Sequence, residues 1–405
     1  MNHAKPLPPS ARRLLLSSFV LMVGRAAAIP FMAIFLTRRM GLDQQQTGML
    51  LCAALMMATA FGLYAGYLAD RFNKHRLMAL AVAAVFILSL TFTWVSSAIA
   101  VVLVLACTDA AMTLRSIALK ALLAELLPVE QRGRAFSLNY ILINLGFAVG
   151  PLLGSLVLGF GEAWPFYISA AFAVLSSRAA PRAQGSQAMP PGGDAANSGA
   201  RLGFGGTLRL LKTDRQLRLF TMGSLLSAFV YGRFAIYLSQ YLMVSQGEAQ
   251  ASALIPYLIT TNAVGVVVLQ YPLSKFIHAG NLMRWIGGGS LMFVAGLTGF
   301  MFADTLPVWI FSMLLFTLGE VIVIPAEYLF IDTIAPAAQK GSYYGVQNLC
   351  TLGDALAPLV CGMLLTHSAP SAMFIALIAA ATGGAAMYYA GGRSRPAVLF
   401  SAAVK

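Results

Sequence analysis

Apolar stretches long enough to cross a bilayer alternate along this chain with short polar gaps, and that alternation dominates its pattern. About 20 consecutive apolar residues span the hydrocarbon core as a helix. Twelve segments approach or meet that length: 14–36, 47–68, 77–95, 98–122, 136–160 and a short sixth at 163–177, then 219–244, 251–276, 282–302, 307–331, 342–366 and 371–390. The prediction is an all-α membrane protein of twelve transmembrane helices. Between the halves, Arg178 to Gly206 is rich in Pro, Gly, Ala and Ser, the composition of a flexible linker. Thr207 to Arg218 mixes Leu with Arg and Lys, which suits either a short helix on an anionic membrane surface or a solvated charge run. The expected division is a six-helix bundle over 1–177, a cytoplasmic linker with an amphipathic helix over 178–218, a second six-helix bundle over 219–391 and a cytoplasmic tail over 392–405.

A repeat explains the halves. Gly146 to Ser155 reads Gly-Phe-Ala-Val-Gly-Pro-Leu-Leu-Gly-Ser, and Gly353 to Gly362 reads Gly-Asp-Ala-Leu-Ala-Pro-Leu-Val-Cys-Gly. Upstream, Pro128-Val-Glu-Gln-Arg-Gly133 lines up with Pro336-Ala-Ala-Gln-Lys-Gly341, a shift of 208 that becomes 207 by the second glycine. Small residues every four positions let helix backbones approach closely in lipid, and the proline removes a backbone donor. One copy alone is a packing seam with a kink. Two in register imply a duplicated bundle with pseudo-symmetric halves.

Composition agrees with the pattern: 59% of residues are hydrophobic, 10% are charged, and the mean hydropathy is +0.77, far from soluble proteins. The net charge of +13 is scattered through the polar gaps instead of clustered on one face, so nucleic acid is excluded as a partner. If both termini are cytoplasmic, the inner loops and tails together with the inner span ends at Lys275 and Arg284 hold 21 of the 27 Lys and Arg, the outer loops hold Arg38 and Arg39, and four lie deeper inside spans. The positive-inside rule predicts that asymmetry. Cys52, Cys107, Cys350 and Cys361 lie in apolar segments without ligand spacing and read as packed thiols. His3, His75, His278 and His367 lie at the terminus or in predicted loops, so no metal site is expected. The first apolar run is long enough to span and follows a basic lead-in, so it reads as a helix and not a cleavable signal.

An ionisable side chain inside the hydrocarbon costs about 2.5 kcal/mol or more and marks a cavity, a partner or both. Arg25, Arg115, Lys120 and Arg233 lie within predicted spans, as do Asp109, Glu320, Glu327 and Asp354. Four of each sign suggest mutual neutralisation, either around a central cavity or in static ion pairs. Glu320 and Glu327 are seven residues apart, which puts them on one face about 10 Å from each other. With no histidine in a span, Glu327, Glu320, Asp354 and Asp109 are the candidate proton carriers, in that order for the first two; burial and a nearby arginine move a carboxylate in opposite directions. Phe31, Asn139, Tyr140, Tyr237, Gln240, Tyr241, Asn262, Gln270 and Tyr328 are candidate pocket residues, with packing as the competing account. A cavity carrying both signs favours zwitterionic or mixed-charge substrates such as short peptides.

The gap after the second span, Gly66-Tyr-Leu-Ala-Asp70-Arg71-Phe-Asn-Lys74-His-Arg76, resembles the loop signature of the major facilitator superfamily, with Asn73 and Lys74 departing from it. The resemblance implies that Asp70 caps a neighbouring helix and pairs with basic residues, so that Gly66, Asp70, Arg71, Lys74 and Arg76 form a conformational latch. Gly146, Gly150, Pro151 and Gly154 resemble that family's antiporter signature, with Ser155 in place of its last glycine. Arg132-Gly-Arg134 is typical of bacterial drug exporters, and Val23-Gly-Arg-Ala-Ala-Ala-Ile-Pro-Phe-Met and Leu318-Gly-Glu-Val-Ile-Val-Ile-Pro-Ala-Glu look like the YdeE and MdtH branch of twelve-helix drug:proton antiporters. The family's fourth-helix signature, Arg-x-x-Gln-Gly, is absent, and Arg115 lies deeper than that arginine would. In this fold the first and seventh helices line the cavity, which brings in Arg25 and Arg233.

The resemblance implies a monomer in the bacterial inner membrane with both termini cytoplasmic. It would bind a drug or short peptide and protons, use no cofactor beyond the proton gradient, and export by alternating access. Uptake of a nutrient or siderophore is the alternative within transport. A membrane sensor or enzyme is the alternative outside it, and the chain lacks both a soluble output domain and a nucleophile or metal cluster.

Overall fold

Each apolar run becomes a helix, because in hydrocarbon the backbone polar groups of a single segment are satisfied only within a helix. The computed structural model describes residues 6–40, 44–180 and 204–393, and among them all regular structure is helical. The first half carries α1 (Pro9–Met40), α2 (Gln44–Arg71), α3 (Lys74–Phe92), α4 (Ala98–Leu126), α5 (Val129–Leu158) and α6 (Trp164–Ala179). The second carries α7 (Phe204–Thr213), α8 (Arg215–Tyr231), α9 (Phe234–Gln246), α10 (Glu248–Ser274), α11 (Leu282–Met301), α12 (Leu306–Ile334), α13 (Lys340–Gln347), α14 (Thr351–His367) and α15 (Ser371–Arg393). Seven described helical segments are long and apolar enough to cross a membrane, or eight if α8 and α9 count as one bent span.

Two of the predicted spans are not single helices. The seventh breaks into α8 and α9 with a bend of 46°. The eleventh begins with a short 3₁₀ turn at Ala337–Gln339, and a second at Asn348–Cys350 separates α13 from α14. The outer-loop pair Arg38 and Arg39 and the thiol of Cys52 lie outside the described side chains, while residues 181–203 of the linker and 394–405 of the tail lie outside the described residues altogether.

The duplication is visible element by element. α4 and α12 are both 29 residues long and start 208 positions apart, at 98 and 306. Within the first half α1 packs on α5 and α6, α2 on α4, and α3 on α4 and α6; within the second α8 packs on α14 and α15, α10 on α12, and α11 on α12 and α15. These are the same five pairings. By contact the chain forms two units, Met1–Phe204 with Ala335–Gly345, and Gly205–Ile334 with Val346–Lys405.

Small residues make the tightest of these pairings. A Cβ on Gly146 would come within 2.8 Å of Met22, on Gly150 within 2.5 Å of Ala26, and on Gly154 within 2.2 Å of the Ala27 carbonyl oxygen. The three therefore let α5 lie backbone to backbone on α1, while Leu152 and Leu156 on the other side of α5 are 65% and 73% exposed, as a lipid-facing side would be. In the second copy Gly353 would place a Cβ 2.0 Å from the Leu225 carbonyl oxygen on α8, and Ala357 and Cys361, four and eight residues on, are wholly buried. The first half is closed at one end by the mutually packed rings of Phe35, Phe92 and Phe166, with centroids 4.5 to 5.2 Å apart.

Candidate functional site

The buried charges of the first unit separate into two groups. The guanidinium of Arg25 on α1 donates to the Asp109 carboxylate on α4, joining two helices that share few other contacts. Arg115, also on α4 and 3% exposed, instead donates from Nη2 to the Ser17 hydroxyl on α1 at 2.9 Å. Ser17 in turn bonds Ser176 on α6 through its hydroxyl and backbone, at 2.7 to 3.0 Å. The guanidinium of Arg115 thus ties α4 to α1 and α6, and its Nε has no hydrogen-bond partner among the described residues. Lys120 is half-buried further along α4. On α5, Asn139 and Tyr140 are buried, and the ring of Phe31 lies against Gly154 at the glycine seam.

Arg233 is the counterpart of Arg25, each preceded by glycine and 208 positions apart (233 − 25). Its carboxylate, however, comes from a different helix: Arg233 Nε lies 3.3 Å from Asp354 Oδ1 on α14, as an ion pair not aligned for a hydrogen bond. Gly232 permits this approach, since a Cβ there would sit 2.5 Å from the same oxygen. The break between α8 and α9 also frees backbone groups, and the buried Tyr237 hydroxyl donates to the Val230 carbonyl at 2.6 Å to satisfy one of them. Gln270 has a similar task. Pro325 in α12 has no N–H for the Val321 carbonyl four residues earlier, and Gln270 Nε2 on α10 supplies a donor at 2.9 Å.

The two glutamates of α12 lie in different surroundings. Glu320, 6% exposed, accepts from Asn262 Nδ2 on α10 at 2.6 Å, and the same nitrogen reaches the Thr317 hydroxyl at 3.1 Å. Glu327, 1% exposed, accepts from the Tyr388 hydroxyl on α15 through Oε1 and from Gln347 Nε2 on α13 through Oε2 at 3.4 Å. The ring of Tyr388 is held in a slot. A Cβ at Gly223 would lie 2.8 Å from it, and the Phe220 ring packs on it with centroids 4.7 Å apart. Tyr328 is half-buried beside Glu327 in sequence, Tyr241 stacks edge-on to Phe374 at 4.7 Å, and Gln240 lies 3.6 Å from the place a Gly362 Cβ would take. Tyr388 and Gln347 were not legible as donors to Glu327; the available signal was a tyrosine among the small residues of the last span, which needs a partner for its hydroxyl.

The signature loop after α2 is built as a helix cap. Asp70 accepts the backbone N–H groups of Gly341 at 2.6 Å and Ser342 at 2.7 Å, at the start of α13, where unpaired N–H groups and the helix dipole favour a carboxylate. Gly66 makes room, for a Cβ there would lie 2.5 Å from the Gly341 carbonyl oxygen. The basic residues do not all follow the expected pairing. Lys74 bonds Glu125 on α4 at 2.7 Å, Arg71 lies over the Tyr67 ring, and Arg76 contributes its backbone N–H to the Asn73 cap of α3 at 3.1 Å. No group of three or more His, Cys, Asp or Glu that could hold a metal occurs among the described residues.

Residues 14–358 match the Major Facilitator Superfamily. The chain belongs to that family. Its fold and membership make it a transporter and not an enzyme, and a multi-pass membrane protein. Among relatives within the superfamily, the uncharacterized MFS-type transporter YdeE of Escherichia coli (strain K12) is 34% identical over 399 residues, covering 96% of each chain. Multidrug resistance protein MdtH of Aeromonas salmonicida (strain A449) is 24% identical over 353 residues, covering 83% of this chain and 82% of MdtH. A crystal structure of a bacterial homologue of the iron transporter ferroportin, in an outward-facing state, superposes with a TM-score of 0.77 at 14% identity, over 96% of this chain and all of that one, and so shares the superfamily fold.

Proposed function

We propose that this transporter exports small amphiphilic molecules, drugs or short peptides, from the bacterial cytoplasm in exchange for protons, by alternating access. The observation that carries the reading is Glu327: a carboxyl group 1% exposed, deep in an apolar helix, held by neutral donors from Tyr388 and Gln347. A hydroxyl and an amide can both reorient, so a carboxyl group that accepts from them can be satisfied with or without its proton, which a proton carrier requires. Asp109 and Asp354, paired with Arg25 and Arg233, suit a fixed or substrate-gated role instead. The likeness to MdtH, a multidrug resistance protein, supports drugs as one substrate class. The orientation with both termini cytoplasmic rests on the loop charges. The reading is tested by imposing an inside-acid gradient on inverted vesicles and following a panel of dyes, dipeptides and sugars. Accumulation of a dye or dipeptide that collapses with an uncoupler is expected; uptake of a panel member that ignores the gradient contradicts it.

A further inference from the structure

The corner where α7 meets α8 is built rigidly and left strongly positive. Asp214, 3% exposed, accepts the Leu217 backbone N–H at 2.9 Å and caps α8. Arg218 reaches back so that Nη1 donates to the Lys212 carbonyl at 2.8 Å, closing the C-terminal end of α7. Thr207 is wholly buried and anchors the start of α7. Both caps thus fix the angle of the corner from within.

What the corner presents outward is three exposed basic residues, Arg209, Lys212 and Arg215, none with an acidic partner among the described residues. Asp214 is the one acidic residue in the sequence from Arg201 to Gly247, and its carboxylate is buried in the cap. On the same short helix Leu208 is 41% exposed beside Arg209, so an apolar side chain adjoins the charges. The corner stands where the chain enters the bent apolar span of α8 and α9. Fixed cations next to an exposed leucine at the foot of a membrane span match a phospholipid, whose acyl chain takes the leucine and whose anionic headgroup takes the cations.

We infer that the α7–α8 corner is a docking surface for an anionic phospholipid, bound by Arg209, Lys212 and Arg215. Each basic group near an anionic membrane surface strengthens association about fivefold, so losing three is readily measured. The test uses the full chain purified from mixed phosphatidylglycerol and phosphatidylcholine vesicles, with retained lipids counted by native mass spectrometry. The wild type is expected to enrich phosphatidylglycerol about tenfold or more. The R209Q/K212Q/R215Q variant, which leaves Asp214 and Arg218 in place, is expected to lose most of that enrichment while keeping its thermal melt in phosphatidylcholine. A control with equal charge removed elsewhere, R12Q/R13Q/R284Q, is expected to keep it. Unchanged enrichment in the corner variant overturns the inference, and so does equal loss in the control, which assigns the preference to overall charge. Absence of enrichment in the wild type also overturns it and turns the search to acidic proteins.

Discussion

Gln270 and Pro325 show how a polar residue in a span can serve the backbone of another helix. The Val321 carbonyl that Pro325 leaves without a donor is bonded by Gln270, so the Q270L variant should lose about 1–3 kcal/mol, the cost of a buried unsatisfied acceptor. A double-mutant cycle isolates this bond. P325A returns an N–H to α12, and in that background Q270L should be nearly neutral in detergent melts; a full penalty in both backgrounds would show that Gln270 acts otherwise. At this scale the sequence was partly legible. Glu320 and Glu327 announced themselves because charge in hydrocarbon is costly, and the structure holds both buried. Tyr237 and Gln270, in contrast, drew notice as pocket residues from their side chains, whereas their polar atoms satisfy carbonyls freed by a helix break and a proline; that depends on which neighbour lies opposite, which a single sequence does not state.

Helices in lipid gain nothing from burying apolar surface, so the pairings of α5 with α1 and of α14 with α8 rest on close packing. Gly150 and Gly353 are therefore expected to tolerate no larger side chain. G150V and G353V, whose Cβ positions already lie 2.5 Å and 2.0 Å from the facing helix, should each cost about 1–3 kcal/mol or more and lower the yield of monodisperse protein in size-exclusion chromatography. L156V, on the exposed side of α5, is the control and should leave both unchanged. The seams were readable from two small-residue patterns in register, and most helix bounds from the apolar runs. The break at Gly232 was not. Arg25 follows a glycine just as Arg233 does, yet α1 continues past it as one helix; the two arginines also differ in partner, Asp109 on α4 for one and Asp354 on α14 for the other. The repeat fixes the helix pairings but not where each half breaks them.

At the scale of the molecule, duplication supplies the architecture, and the two halves depart from it in their buried charges. Pairing for pairing the second unit repeats the first, but α12 carries two buried glutamates where its counterpart α4 carries Arg115 and a carboxylate already paired with Arg25. We therefore propose the second half, with Glu327 at its centre, as the seat of proton exchange. The most direct test counts protons released per substrate exported in proteoliposomes containing the wild type, E327Q or E320Q, with binding measured on the same preparations. E327Q is expected to bind substrate but to move no protons and not to concentrate substrate against a gradient; an E327Q protein with the wild-type proton count and accumulation would contradict Glu327 as the carrier.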